Sequence, residues 1–351
     1  MKKTALHASL ASMRLPFLLL PPICVGLGAA VASLRGFGLD MLHLVLVLVG
    51  AMAAHVSVNA LNEYDDFRSG LDYNTRRTPF SGGSGFLPQA PDKKHVALIT
   101  GLVACVITAA IGLFFVHIQG TALLPLGLLG LFIVMAYTRW LTRAPISCLI
   151  APGMGFGPLM VLGTEFALTG LYSFAGMLAS MVPFFLVSDL LLLNQFPDVE
   201  PDRQVGRRHL PIVIGRRASA GVYALFLLGS YVPVVVGYYL GIFPASVLLA
   251  LLTLVLATPT AIGVIRHADC VQALLPFMGR NVLIVLLTPA LLALGLFLNT
   301  ASEAERRPGY HPRHVGARRA GMSEIRPLPS TAAPSADPVP AGGRSPDNRV
   351  R

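Results

Sequence analysis

The sequence predicts an all-α, multi-pass membrane protein, a bundle of about nine transmembrane helices around a cavity open to the cytoplasm. Three observations carry this expectation. Of the 351 residues, 54% are hydrophobic and only 13% charged, with a mean hydropathy of +0.67, outside the composition of ordinary soluble domains. Apolar stretches of about 20 residues, each able to cross a hydrocarbon core of about 30 Å, recur along the chain. The basic residues are segregated in the way a membrane orientation demands.

Taken in order, the predicted spans are Leu15 to Leu34, Met41 to Leu61, His95 to Val116, Leu123 to Tyr137, Ile146 to Leu168, Phe174 to Leu193, Ala218 to Tyr239, Pro244 to Ile265 and Val282 to Leu298. The first has no small-residue cleavage site and eight more follow it, so it reads as a span and not as a cleavable signal peptide. Several spans contain Pro or Gly, which neighbouring helices tolerate by re-satisfying the freed backbone groups. With the N-terminus inside, the second and sixth spans both end at the cytoplasmic face. The two long loops, Glu63 to Lys94 and Gln195 to Arg217, then share that side, and the outer loops are short and almost uncharged. The expected location is the inner, cytoplasmic membrane, with the polar machinery on its inner face. After residue 300 the chain turns Arg-, Pro-, Ser- and Ala-rich, which predicts a membrane domain over residues 1–300 and a disordered tail over 301–351.

The net charge of +10 invites a nucleic-acid reading, but its distribution argues against one. Of 27 Lys and Arg, 17 lie in the N-terminal segment or in loops on that same side, Arg35 alone lies in an outer loop, and nine Arg lie in the tail. Most of this basicity is topological, and no nucleic-acid partner is expected. Cys24, Cys105, Cys148 and Cys270 occur singly, with neither a metal knuckle nor a disulfide framework in their spacing.

Two acidic segments need explaining. The second span runs into "ALNEYDDFRSGLD" and the sixth into "LLNQFPDVEPD", although a helix end needs only an anchor, which Lys, Arg, Trp or Tyr supplies better. On a helix His55, Asn59, Asn62 and Asp66 share one stripe, and such a polar seam predicts a cavity, because polar groups facing lipid are costly. Gly70 is expected to end the helix, with Asp72 reaching back from the loop. In the second segment Asn194, Asp198 and Asp202 are spaced four apart, with Pro197 and Pro201 kinking or breaking the helix between them. Carboxylates so spaced, without His or Cys alongside, favour a hard cation. Magnesium fits, because it takes a few protein carboxylates, keeps waters and completes its shell from substrate phosphates.

The basic loops supply the counterpart of a diphosphate. "RRTPFSGGSGF" offers Arg76, Arg77 and the run Ser81, Gly82, Gly83, Ser84 and Gly85, whose N–H groups can turn toward phosphate. Arg203, Arg207 and Arg208 follow the second acidic segment, and Arg139 and Arg143 lie on the same side. Arginine forks suit phosphate. Each feature also has a plainer reading. One acidic pair at a helix end is more often a solvated terminus, but two such sites with the same Asn-x-x-x-Asp core on equivalent helix ends favour function. The glycine run alone reads as a flexible connection, His55 as a hydrogen-bond partner for a neighbouring helix, and Arg266 and Arg280 as orientation charges. Asp189 is an intramembrane carboxylate on the helical face opposite Asp198, as readily a structural partner as a substrate contact.

These motifs resemble those of the UbiA superfamily of intramembrane prenyltransferases. "NEYDDFRSGLD" is similar to its first aspartate-rich motif and "NQFPDVEPDRQVGRRHLPIVIG" to its second, with "TPFSGGSGFLP" and "AYTRWLTRAPI" extending the match. The form with Asn62, Tyr64, Asp66, Gly70 and Asp72 is most similar to the branch that prenylates 1,4-dihydroxy-2-naphthoate in menaquinone synthesis. Glu63 stands where the family usually has Asp, and "APGMGFGP" occurs where that branch has a Gly-Glu pair. The resemblance implies that Asn62, Asp66, Asp72, Asn194, Asp198 and Asp202 hold magnesium and a polyprenyl diphosphate, with Asp66, Asp72, Asp198 and Asp202 as the catalytic acids. It makes Arg76, Arg77, Arg139, Arg143 and Arg207 the diphosphate partners, helped by Arg203 and Arg208. Tyr64, Phe67, Tyr137 and Phe196 are candidate aromatic faces for an allylic cation, and Asp65 or Asp72 for the acceptor's proton. The expected partners are the bilayer, a polyprenyl diphosphate and an aromatic acceptor. 4-Hydroxybenzoate, homogentisate, a porphyrin or a chlorophyllide remain alternative acceptors. An ion-coupled secondary transporter is the reading from another class, although transporter sites lie at the bilayer midplane with inverted repeats; a lipid-binding scaffold has no need of two metal-grade clusters.

Overall fold

The computed structural model describes residues 18–75, 78 and 83–306, which all belong to one compact unit. The principal helices are α1 (Leu20–Leu34), α2 (Met41–Arg68), α3 (Lys94–Gln119), α4 (Leu124–Ala136), α5 (Pro145–Met154), α6 (Gly163–Thr169), α7 (Phe174–Asn194), α8 (Val199–Gln204), α9 (Gly215–Gly229), α10 (Val232–Tyr239), α11 (Leu254–His267) and α12 (Val271–Arg306). Among the described residues there is no strand. Seven helical segments are long and apolar enough to cross a membrane: Met41–Arg68, Pro91–Gln119, Pro145–Thr169, Phe174–Asn194, Gly215–Tyr239, Ala245–His267 and Val271–Ala301. Two shorter apolar helices, Leu20–Leu34 and Thr121–Ala136, fall where two further spans were expected. The all-helical membrane architecture read from hydropathy is therefore present.

Local chemistry explains the helix limits. Pro21 lies in the first turn of α1, where its missing N–H costs nothing. Asp40 caps α2 by accepting the N–H of His43 at 2.9 Å. The expected fifth span is not a uniform helix: α5 passes through a π-helical stretch, Gly155–Leu162, into α6. Pro152 and Pro158 lie in this region, and a locally widened turn is one way a helix accommodates lost N–H donors. Its glycines bring it against α7. A Cβ at Gly153 would fall 2.2 Å from the Phe184 carbonyl oxygen, and one at Gly157 2.4 Å from that of Ser180. Small residues give helices in lipid this close backbone approach.

The ninth span starts earlier than hydropathy indicated, at Val271 and not near Val282. Asn281 does not interrupt it, because its amide is buried and satisfied: Tyr223 Oη donates to Oδ1 at 3.0 Å and Nδ2 donates to Asp189 Oδ1 at 3.2 Å. α12 also runs through Arg306, past the domain boundary read at 300. Residues 307–351, which include most of the predicted tail, lie outside the described residues.

The main core gathers α1, α7, α9, α11 and α12 around Leu186, Tyr223, Leu227, Met278, Ile284 and Leu292. α2 and α3 pack along each other separately, with Leu61 side-chain atoms 2.8 Å from where a Cβ on Gly101 would lie. Ser57 Oγ adds a hydrogen bond to the Gly101 carbonyl at 2.8 Å. Between this pair with α4 on one side, and the α5–α6 segment with the end of α7 on the other, lies a cavity of about 630 Å³.

Candidate active site

The first acidic segment reaches the cavity by continuing a helix. α2 holds His55, Asn59, Asn62 and Asp66 in phase, and all four line the cavity. Asn59 Nδ2 is 3.0 Å from His55 Nε2, a contact within α2, and the His55 ring meets Phe156 edge-on at 5.3 Å. Asn62 Nδ2 donates to Thr138 Oγ1 at 3.1 Å. Gly70 then takes φ +81°, a left-handed conformation that glycine adopts without strain. A one-turn helix, Leu71–Asn74, follows and carries Asp72 back to the cavity wall. Asp66 is 6% exposed and Asp72 5%.

The second segment arrives by a break and a reversal. α7 ends at Asn194, Pro197 lies in the turn, and Asp198 occupies the N-cap position of α8. Gly206 at φ +80° closes α8. Its N–H bonds the Arg203 carbonyl at 3.1 Å and the Arg207 N–H bonds that of Asp202 at 3.0 Å, the paired bonds of a Schellman turn. This turn brings the Arg207 side chain alongside Asp202, whose Oδ1 accepts from Nη1 at 2.9 Å. The other arm of the same guanidinium, Nη2, bonds Asp66 Oδ1. One arginine therefore joins the two acidic segments, and Asn194, Asp198 and Asp202 line the same cavity as Asn62, Asp66 and Asp72. Burial pulls the Arg207 pKa down, but the Asp66 and Asp202 carboxylates outweigh it and hold it above its ordinary value.

Among the described residues, the other arginines named from sequence stand off the cavity. Arg139, expected at the diphosphate, stands off the cavity and holds Asp65 through both carboxylate oxygens at 3.0 to 3.2 Å. Arg143 is exposed and off the lining. Arg203 bonds Glu200 at 3.3 Å in solvent, and Arg208 is off the lining as well. The 137–144 linker instead turns Tyr137 and Thr142 to the cavity. Arg76, Arg77, Ser81 and Gly82 lie outside the described residues.

Further candidates are sorted by the fold. Of the aromatic residues named from sequence, Tyr137 lines the cavity; Tyr64 and Phe67 line a separate hollow with Arg68, Tyr73, Lys94 and His95. Phe196 is fully buried in the core. Asp65, one of two candidate proton acceptors, is off the cavity, whereas Asp72 is on it. Asp189 is buried beside Asn281 and is not part of the lining, which fits its structural reading.

Sequence reading missed two residues. His209 is 1% exposed, and its Nε2 lies 3.0 Å from Asp202 Oδ2. Its position three residues beyond Gly206 was the available signal. Glu63, noted only as a departure from a motif, is buried and accepts from the backbone N–H of Ser84 at 3.1 Å and from its hydroxyl. That pair ties the Gly83 to Phe86 stretch to α2, and a Cβ on Gly83 would lie 2.9 Å from Asp72 Oδ1. The glycine run thus turns an N–H toward Glu63.

The donors suit a hard divalent cation. They are carboxylate and amide oxygens, and the buried Oδ1 of Asn194 has no hydrogen-bond partner among the described residues. Among those residues no three His, Cys, Asp or Glu side chains are grouped closely enough to hold an ion unaided. An ion here would complete its shell from water or phosphate, which is the habit of magnesium and not of a caged metal. Away from the acids the lining is apolar, including Val47, Phe115, Leu123, Leu159 and Ala167.

Comparison with known proteins gives the family and the fold. Residues 19–283 match the UbiA prenyltransferase family. The chain is 27% identical over 300 residues to the 1,4-dihydroxy-2-naphthoate octaprenyltransferase of Escherichia coli (strain K12), covering 84% of this chain and 96% of that protein. The fold is similar to that of a digeranylgeranylglyceryl phosphate synthase, with a TM-score of 0.57 at 16% identity, covering 84% of this chain and 99% of the other. It is also similar to a UbiA homolog from Archaeoglobus fulgidus bound to GPP and Mg2+, with a TM-score of 0.51 at 14% identity over 82% of this chain and 99% of that one.

Proposed function

The chain belongs to the UbiA prenyltransferase family, and from that premise we propose that it transfers a polyprenyl group from an isoprenoid diphosphate to 1,4-dihydroxy-2-naphthoate in menaquinone biosynthesis. It is a multi-pass membrane protein and a polyprenyltransferase, so the ion-coupled transporter reading is not carried forward. The observation that carries the proposal is the convergence of both acidic segments on one cavity through Arg207. The acceptor rests on the name of the E. coli relative and on the form of the first motif. 4-Hydroxybenzoate, homogentisate, a porphyrin and a chlorophyllide are its competitors.

Asn62, Asp66, Asp72, Asn194, Asp198 and Asp202 are the proposed magnesium and diphosphate ligands, with Arg207 and, from the undescribed loop, Arg76 and Arg77 against the phosphates. The A. fulgidus homolog bound to GPP and Mg2+ supports the choice of ion. Bound magnesium supplies a Lewis acid for the leaving diphosphate. Arg207 neutralises negative charge where it develops, on the oxygen freed as the allylic C–O bond breaks. Tyr137 and Phe156 line the cavity and supply aromatic rings to stabilise the allylic cation, and the apolar walls keep water from intercepting it. A carbon of the electron-rich ring forms the new C–C bond as the allylic C–O bond breaks and diphosphate departs; a displaced proton passes to Asp72, and at the carboxyl-bearing carbon the carboxylate leaves as carbon dioxide instead. The tail lies along the apolar wall while the acids face the cytoplasm. The membrane domain of about residues 1–300 performs this reaction, and the Arg- and Pro-rich remainder forms a tail. We assign the inner membrane from the charge bias of the loops.

The test supplies purified protein with magnesium, labelled farnesyl or geranylgeranyl diphosphate, and a panel of aromatic acceptors. A prenylated product of the naphthoate, with or without its carboxyl, and stoichiometric diphosphate release are expected. Prenylation of a different ring alone overturns the acceptor, and no product with any ring overturns the reaction.

A further inference from the structure

Four aspartates line the cavity, and among the described residues Arg207 is the one Lys or Arg that does so. Its position is unusual for a substrate-binding arginine, because both arms of its fork are already engaged by acids from different segments. Asp202 is engaged on both oxygens, by Arg207 at 2.9 Å and by His209 at 3.0 Å. Asp66 and Asp202 are both buried. Two buried carboxylates repel each other and have lost hydration, so a cation between them is worth more than at a surface.

We propose that Arg207 is a built-in counter-ion that keeps divalent cations from Asp66 and Asp202 until a diphosphate arrives, so that metal and diphosphate load together. This rests on the diphosphate-binding reading above. A cation arriving alone has to displace the guanidinium and leave it buried without an anion, a cost comparable to the gain. An arriving diphosphate removes that cost, since phosphate oxygens accept the same two-pronged donation that the carboxylates accept. Arg207 then exchanges carboxylate for phosphate, and the acids it releases become available to the metal. His209 holds the second oxygen of Asp202 throughout, so the carboxylate stays in place when Arg207 leaves. No covalent step is involved.

The test uses the full chain in detergent with Mn2+ as the spectroscopic stand-in, reading the free ion by electron paramagnetic resonance. Without diphosphate, the unaltered protein should bind Mn2+ weakly, and Arg207→Gln should bind it about tenfold tighter or more, the scale of one lost charge-assisted hydrogen bond. Adding geranylgeranyl diphosphate should tighten Mn2+ binding in the unaltered protein more than in Arg207→Gln, each corrected for Mn2+ held by diphosphate in solution. Equal Mn2+ affinity in the two proteins without diphosphate overturns the proposal. If Arg207→Gln does not fold, Arg207→Lys decides: its ammonium lacks the two-armed fork that holds each acid separately, so Mn2+ affinity should rise severalfold, and affinity equal to the unaltered protein again overturns it. Prenyl transfer by the unaltered protein is measured in parallel. Turnover without the Mn2+ difference rejects the counter-ion role alone, whereas no turnover with any acceptor rejects the underlying reaction.

Discussion

At the scale of single residues, the cavity distinguishes arginines that looked alike in sequence. Arg207 reaches Asp66 and Asp202, whereas Arg139 is spent on Asp65 outside the cavity. Arg139→Ala should therefore leave kcat/KM within about threefold, as expected for an exposed ion pair. Asp66→Ala and Asp198→Ala should each lower it by at least about a hundredfold, the scale of losing transition-state electrostatics. Steady-state kinetics on protein of unchanged thermal stability makes the comparison, and retained activity in either aspartate variant counts against its proposed ligand role. The two motifs were unequally legible. Asn62 and Asp66 could be read because one unbroken helix fixes their azimuth. The side chains of the 137–144 linker could not, because its short 3₁₀ turn and irregular backbone carry no dependable period.

At the scale of elements, the site depends on how two helices stop. α2 ends at Gly70 and α8 at Gly206, both left-handed; the first returns Asp72 to the cavity and the second aims Arg207. A Cβ on Gly206 would meet nothing within 4 Å, so Gly206→Ala acts on backbone conformation alone, at about 1–2 kcal/mol for that conformation. It should raise KM for the prenyl diphosphate severalfold while far-ultraviolet circular dichroism stays unchanged. An unaltered KM would show that Arg207 finds its place without the turn. Gly70 was readable as a stop because it closes a long periodic stretch. Gly206 was not, since α8 is only six residues long and follows two prolines.

At the scale of the whole molecule, the cavity runs along α2 from Asp66 to Val47, a helical distance of about 28 Å at about 1.5 Å per residue. That depth ties prenyl length to the apolar end of the lining. Val47→Trp should shift the ratio of kcat/KM for geranyl over geranylgeranyl diphosphate upward severalfold, measured by competition between the two donors. An unchanged ratio would mean that the tail does not follow this wall. The sequence by itself determined the all-helical membrane architecture, the polar stripe on α2 and the delivery of two acidic segments to one end of the bundle. These follow from hydropathy, helical period and charge bias, which depend on near neighbours in the chain. The tertiary structure alone decided which arginine joins Asp66 to Asp202, that His209 braces Asp202, that Glu63 holds Ser84, and that Asn281 continues a helix. Those outcomes depend on the direction the chain takes after each break and on which polar groups meet across helices far apart in sequence, and no local periodicity encodes either.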